Sequence, residues 1–195
     1  MRLDRRSLLA MVPALLLAGR AGAQAMPEGA PDQSAFQDQM APFWDQLAML
    51  PHIRQPALEQ PSAGICYMFT NKDCEVCQIV HKEYPQGYRR LELRYVIYPW
   101  PGEPFDELNH MYRPETTLAE FQTYMAHQLN VRSSNASSAQ GDLVMAVAAE
   151  MAHQLVDGGS FGTPFFFNGA PGPQGKLVFS AGDVVAMASF LDAAA

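Results

Sequence analysis

Short apolar runs alternate with segments of helical spacing along the chain, and together they predict an α/β fold. Ile65 to Thr70 is continuously apolar and rich in strand-forming residues, as expected for a central strand covered on both faces. Leu91 to Tyr98 is predicted as a second strand, closed by Pro99 and Pro101. Between them, Cys74 to Tyr84 is predicted as a helix that ends before Pro85.

The second half of the chain is predicted to be helical first and then to form a hairpin. Thr117 and Glu120 have the spacing of a capping box before the apolar residue Phe121. A Gly-rich turn between two apolar runs indicates a hairpin with a longer loop. The predicted elements after the capping box are a helix at 143–156, strands at 164–167 and 177–179, and a last helix at 183–191.

Residues 1–25 have the pattern of an export signal. Basic residues come first, Leu8 to Ala18 is apolar, and Ala23-Gln24-Ala25 is a small-x-small cleavage pattern. A membrane anchor is the alternative, but spanning a bilayer takes about 20 apolar residues and this run is roughly half as long. The mature chain is therefore predicted to lie outside the cytoplasm, in the periplasm of a bacterium.

The export route has two interpretations. Asp4-Arg5-Arg6-Ser7-Leu8-Leu9 resembles the twin-arginine signal of bacteria. Ala10 departs from it, because a Lys is usual there. A general secretory signal is the alternative.

Residues 26–62 are predicted to be an N-terminal helical extension and linker, and residues 63–195 the main domain, with a helical insert at about 106–158. The extension carries a stripe of large apolar side chains at helical spacing, although Pro42 interrupts it. The members of this stripe are Phe36, Met40, Phe43, Trp44 and Leu47. Such a stripe must be covered, either by the chain's own domain or by a second copy. The first interpretation, a monomer, is favoured.

Composition narrows the class of protein. Of the 195 residues, 48% are hydrophobic and 17% charged, which excludes a disordered chain. The formal net charge of −7 argues against binding to nucleic acid, which depends on clustered Lys and Arg. Three cysteines are too few for a disulfide-stabilised mini-protein.

Two of those cysteines form a C-x-x-C motif, Cys74-Glu75-Val76-Cys77, which has several possible roles. A zinc site needs four ligands and no second pair is suitably spaced, while haem attachment needs a His where Gln78 stands. A structural disulfide across two residues would constrain the unfolded chain very little. Redox chemistry is therefore the favoured role.

The position of the motif supports that role. Cys74 lies where a strand gives way to a helix, and the free N–H groups and dipole of a helix start stabilise a thiolate. Cys77 follows one helical turn later on the same face, close enough to resolve a mixed disulfide. The third cysteine, Cys66, lies within a predicted strand and is expected to be buried and inert.

A second motif, Gly162-Thr163-Pro164, opens a strand roughly ninety residues after the first. The predicted order of elements resembles the thioredoxin fold. It consists of a strand, a C-x-x-C helix, a strand, a helical insert, Thr-Pro, a hairpin and a last helix. Within that superfamily, residues 68–81, 93–99 and 161–164 look like the bacterial periplasmic DsbC/DsbG branch. The resemblance covers the chain from about residue 64 onward.

This resemblance implies roles for particular residues. Cys74 matches the nucleophile and Cys77 the resolving thiol. Pro164 matches the cis-proline beside the disulfide, and Thr163 would present backbone groups to an extended substrate, a recognition by strand addition. The implied partners are cysteine-containing extracytoplasmic proteins and a membrane redox protein that resets the pair. No cofactor and no metal are implied.

The sequence also departs from its relatives. Glu75-Val76 replaces the Gly-Tyr or Pro-Tyr of the branch, Asp73 replaces the Trp of thioredoxin, and Met68 stands where thioredoxin has a buried acid. We therefore expect Asp73, Glu75 and Val76 to tune the redox pair. Residues 26–73, between the predicted cleavage site and Cys74, are fewer than a DsbC-type dimerisation domain and its linker need, so we expect that domain to be missing or replaced by the helix around Phe36 to Leu47.

Three functions follow as hypotheses. The favoured one is a reductase or isomerase of disulfides, because Asp73 and Glu75 oppose the helix dipole and disfavour a very acidic Cys74. An oxidase that donates its own disulfide is the enzymatic alternative. The third is a periplasmic protein that binds a soft metal such as copper(I) through Cys74, Cys77 and His81 or a Met.

Overall fold

The computed structural model describes residues 37–62, 64–83, 85–100, 102–131, 138–155, 161–169 and 177–181. The predicted export signal, the first member of the apolar stripe (Phe36) and the predicted last helix lie outside these residues. The described elements in chain order are α1 (Gln37–Met49), β1 (Ile53–Gln55), β2 (Gly64–Thr70), α2 (Glu75–Glu83), β3 (Leu91–Ile97), α3 (Phe105–Met111), α4 (Leu118–Met125), α5 (Ala139–Leu155), β4 (Phe165–Gly169) and β5 (Leu177–Ala181).

The five strands form one sheet in the order β1-β3-β2-β4-β5. Strands β2 and β3 are parallel and in register from Gly64–Leu91 to Thr70–Ile97, so the chain between them must cross over, and α2 lies in that crossover. Strand β4 runs antiparallel to β2 and pairs with β5 as a hairpin. This arrangement confirms the thioredoxin-like fold that the sequence predicts.

The directions of the strands determine where the C-x-x-C motif and the Thr163–Pro164 segment lie. Because β2 and β3 are parallel, their carboxyl ends meet at one edge of the sheet. The pairing of Phe69 with Phe165 brings the start of the antiparallel β4 to that same edge. The C-x-x-C helix and the Thr163–Pro164 segment are therefore neighbours, although they lie far apart in the sequence.

Strand β1 corrects one prediction. Pro51, Pro56 and Pro61 predict an irregular linker in this part of the chain, but Ile53–Gln55 pairs with β3 at the edge of the sheet, with Ile53 opposite Tyr95. Three residues between prolines are too few to show an alternating pattern. Only the long-range pairing with β3 makes this segment a strand.

The apolar stripe of the N-terminal extension is buried within the chain's own fold. Met40, Phe43 and Leu47 are at most 2% exposed and belong to the same core as β2 and β3, with Trp44 packed against it. Helix α1 contacts α5 and continues through Pro42 without ending. The burial of this face stabilises the helix enough to tolerate the hydrogen bond that a proline removes.

Helices α3, α4 and α5 form the predicted insert, which begins at Phe105 and continues to the end of α5 at Leu155. Helix α5 starts four residues before the predicted 143, because the hydroxyl of Ser138 accepts a hydrogen bond from the Gly141 amide and caps it. None of the helices in the described ranges has the length and apolar character that crossing a membrane requires.

The predicted capping box at α4 is confirmed. The Thr117 hydroxyl accepts a hydrogen bond from the Glu120 amide at 3.2 Å, and the Glu120 carboxylate accepts one from the Thr117 amide at 2.8 Å. These bonds from Thr117 hold the pKa of Glu120 at about 2.

Thr117→Ala is expected to lower the free energy of unfolding by about 1 kcal/mol, because it leaves an N-terminal amide of α4 without its acceptor. Urea denaturation measures this. The matched control is Thr123→Ala on the same helix, where the hydroxyl bonds the Ala119 carbonyl instead of a helix end and the change should stay within about 0.5 kcal/mol. Equal losses in the two variants would contradict the capping role.

Candidate active site

Cys74 is the residue at which the turn after β2 becomes helix α2. Its carbonyl accepts the first helical hydrogen bond, from the Gln78 amide at 3.0 Å, and its own amide donates to the Asn71 carbonyl at 3.2 Å. Its Sγ accepts from the Cys77 amide at 3.2 Å, as the side chain of a helix N-cap does. The sulfur therefore takes the place of a capping oxygen.

This position favours the Cys74 thiolate. The pKa of Cys74 is lowered from 9.0 to about 6, mainly by the hydrogen bond from the Cys77 side chain and further by the backbone amides of Cys77 and Val76, while burial opposes the shift. Asp73 and Glu75, predicted to oppose the helix dipole, are exposed residues on either side of Cys74.

Cys77 is the proton-holding partner of the pair. It is fully buried, and the neighbouring Cys74 together with burial raises its pKa above the ordinary value. Cys74 is 4% exposed. The two sulfurs therefore lose their protons at different pH values. Cys74, the more accessible sulfur, ionises first, and the buried Cys77 keeps its proton longer.

The Thr163–Pro164 segment lies directly beside the nucleophile. The peptide bond between these residues is cis, as the resemblance implied. Cys74 Sγ donates to the Thr163 carbonyl oxygen at 3.3 Å, and Pro164 is buried at the start of β4. The structure therefore brings Cys74, Cys77 and Thr163 together at one edge of the sheet.

The turn before Cys74 carries polar residues whose importance the sequence did not reveal. Lys72 is 9% exposed, and its ammonium group lies 3.2 Å from Asp73 and 3.5 Å from Glu107, above the ring of Tyr124. The Lys72 carbonyl accepts from the side chains of Gln78 and His127, at 2.8 and 3.1 Å. Lysine in a turn is ordinarily solvated, so no local signal marked it.

Two further candidates from the sequence take other positions. Cys66 is fully buried in β2 and burial raises its pKa, which agrees with an inert thiol. His81 packs its ring edge-on against Phe121, with centroids 5.4 Å apart, and burial lowers its pKa. Among the residues that the structure describes, no three His, Cys, Asp or Glu side chains are grouped as metal ligands, so His81 does not join the two cysteines in such a cluster.

Comparison with known proteins yields structural neighbours only, since no protein-family model and no curated protein matches the chain. The catalytic domain of Proteus mirabilis ScsC is 13% identical, with a TM-score of 0.45, over 82% of this chain and 98% of that one. The thiol-disulfide exchange protein α-DsbA2 from Wolbachia pipientis is 14% identical, with a TM-score of 0.48, over 86% and 100%. DsbG from Helicobacter pylori is 13% identical, with a TM-score of 0.43, over 86% and 73%.

These neighbours are distant, and each of the three TM-scores is below 0.5. The chain's own geometry defines its class. A parallel β2–β3 pair with α2 in the crossover and an antiparallel hairpin form a thioredoxin-like fold. In that fold the cis Thr163–Pro164 bond lies beside a C-x-x-C dithiol.

Proposed function

We propose that this protein is an exported thiol:disulfide oxidoreductase that reduces or isomerises disulfides in extracytoplasmic proteins through Cys74 and Cys77. The proposal rests on the difference between the pKa values of the two cysteines: Cys74 ionises near neutral pH while buried Cys77 stays protonated. Only a thiolate attacks a disulfide, so this pair has a ready nucleophile and a reserve thiol.

The reaction proceeds in two exchanges. The Cys74 thiolate attacks one sulfur of a substrate disulfide, that S–S bond breaks, and the departing substrate thiolate takes up a proton. Cys77 then gives up its proton and attacks Cys74 Sγ, which releases the second substrate thiol. Two electrons pass to the substrate and leave a Cys74–Cys77 disulfide, which a membrane redox partner would reduce again.

Thr163 and Pro164 are proposed to receive the substrate backbone. The Thr163 carbonyl lies 3.3 Å from Cys74 Sγ, where an extended chain carrying the target cysteine has to pass. Hydrogen bonds between two backbones are independent of side chains, which suits an enzyme with many protein substrates.

The acidity of Cys74 supports reduction or isomerisation over oxidation. A more stabilised thiolate makes the disulfide more oxidising, and the nucleophile pKa is about 3.5 in the strong oxidant DsbA and about 7 in thioredoxin. At about 6, the pKa of Cys74 lies nearer to thioredoxin. Burial of the α1 stripe within the chain supports a monomer, and with it a reductase more than a dimeric DsbC/DsbG-like isomerase.

Cys77→Ser tests the proposal directly. The variant is expected to accumulate a covalent adduct with a defined disulfide substrate such as insulin, because no second thiol can release Cys74. Non-reducing electrophoresis and mass spectrometry would show an adduct at Cys74 that dithiothreitol removes. The Cys74→Ser variant, which keeps Cys77, serves as the control and should form none. Absence of an adduct from Cys77→Ser, together with no insulin reduction by the native protein, would exclude the proposed activity.

A further inference from the structure

Glu103 is a buried carboxylate in the loop between β3 and α3. It is 8% exposed, and its two oxygens accept hydrogen bonds from three donors. One oxygen accepts from the Asn71 side-chain amide at 2.7 Å and from the Trp100 backbone amide at 3.3 Å, and the other from the Tyr124 hydroxyl. Burial raises the pKa of Glu103, while these bonds and nearby Lys72 act against the rise.

Asn71, the residue that Glu103 holds, organises the turn before the nucleophile. Its side-chain oxygen accepts from the Asp73 amide at 2.8 Å, and its carbonyl accepts from the Cys74 amide at 3.2 Å. Its side-chain amide bonds the Tyr98 carbonyl at 2.8 Å as well as Glu103. Asn71 therefore accepts the hydrogen bonds of both the Asp73 and the Cys74 amides in the turn.

We propose that Glu103 is a positioning residue, which fixes through Asn71 the turn that presents Cys74 at the start of α2. This inference rests on the thiol–disulfide exchange proposed above. Glu103 does not touch the cysteines in the proposal; it acts through the side chain of Asn71.

The same carboxylate connects the redox turn to the helical insert. Tyr124 belongs to α4 and is fully buried, so its bond to Glu103 ties that helix to the turn. Two more contacts reach the turn from the insert: Glu107 of α3 pairs with the Lys72 ammonium at 3.5 Å, and His127 bonds the Lys72 carbonyl at 3.1 Å. The insert thus supports the turn from several sides, and Glu103 is its link to Asn71.

Positioning can be separated from charge with two substitutions at the same position. Glu103→Gln removes the charge but keeps the reach: its side-chain oxygen can accept from Asn71 and Trp100 while its amide donates to Tyr124. Glu103→Asp keeps the charge but is one methylene shorter and withdraws from Asn71. Positioning predicts that the glutamine variant behaves like the native protein and the aspartate variant does not.

The readout is the titration of Cys74, followed by ultraviolet thiolate absorbance, together with the rate of insulin reduction near pH 6. If the turn relaxes, Cys74 Sγ withdraws from the Cys77 amide and its thiolate loses stabilisation. We expect Glu103→Asp to raise the pKa of Cys74 by about one unit. The thiolate fraction near pH 6 then falls about fivefold, and the rate falls with it.

Asn71→Ser provides a second test that leaves Glu103 in place. Serine can still accept a hydrogen bond from the Asp73 amide, but it is too short to reach Glu103. We expect the same upward shift of the Cys74 pKa as in Glu103→Asp, in a protein whose thermal unfolding shows that it is folded. This variant decides the question if Glu103→Asp does not fold.

Two results would overturn the inference. One is an unchanged Cys74 pKa in folded Glu103→Asp or Asn71→Ser. The other is a shifted pKa in Glu103→Gln, which would assign the effect to charge. Failure of the proposed function itself looks different, because the native protein would then not reduce insulin at all.

Discussion

Cys74→Ser is expected to lower the rate of disulfide reduction by a factor on the order of a thousand or more, as removal of an essential nucleophile does. The serine hydroxyl does not ionise near neutral pH, so the variant has no anion at position 74 that could attack a disulfide. The insulin reduction rate, measured with an excess of dithiothreitol and corrected for the uncatalysed reaction, gives the size of the loss.

Cys66→Ala is the matched control for this prediction. Cys66 is also a free cysteine, but it lies fully buried in β2, and burial raises the pKa of its thiol. The variant should therefore reduce insulin at the native rate. Native activity in Cys74→Ser, or loss of activity in a folded Cys66→Ala, would show that the wrong thiol has been assigned.

The second large effect is expected from pH. Exchange requires the Cys74 thiolate, whose pKa is about 6. Between pH 7 and pH 4 the ionised fraction falls from nearly complete to about one part in a hundred, so the rate should fall by roughly two orders of magnitude. Rates of alkylation by iodoacetamide, with the modified residue identified by mass spectrometry, follow the Cys74 thiolate without a protein substrate.

The lowered pKa of Cys74 also determines how the stability of the reduced protein changes with pH. The pKa of Cys74 falls from 9.0 to about 6 in the folded reduced protein, so its ionisation adds stability, which is complete above pH 9 and is lost as the pH falls through 6. The disulfide form has no thiolate and lacks this contribution. Reduced protein should therefore gain stability over oxidised protein as the pH rises through this window.

Two outcomes of the alkylation profile would contradict this account. An inflection near pH 9 would mean that the helix start does not stabilise the thiolate. An inflection near or below pH 4 would place Cys74 with strongly oxidising proteins and favour the oxidase function. The Cys74→Ser variant should lose the acidic inflection, because Cys66 and Cys77 are both buried and burial raises the pKa of each thiol.

Much of the fold and the centre of the site could be predicted from local sequence. A continuous apolar run predicted β2, and a second strand closed by prolines was predicted where β3 lies. The spacing of Thr117 and Glu120 predicted the start of α4, and two short motifs predicted the redox pair and its neighbour. These features depend on residues a few positions apart, whose backbone preferences and hydrogen bonds are made within one turn or one strand. The unfolded chain therefore already contains that information.

The surroundings of the redox pair were decided by tertiary structure. Asn71 and Glu103 are 32 positions apart, and Glu103 follows a Pro-rich loop whose sequence predicts an ordinary solvated carboxylate. Strand β1 likewise exists only because β3 offers an edge to pair with. Sequence by itself determined which sulfur is placed at a helix start. Packing of the insert against the turn decided which polar groups hold that sulfur in place, because burial and hydrogen-bond partners arise only when distant segments meet.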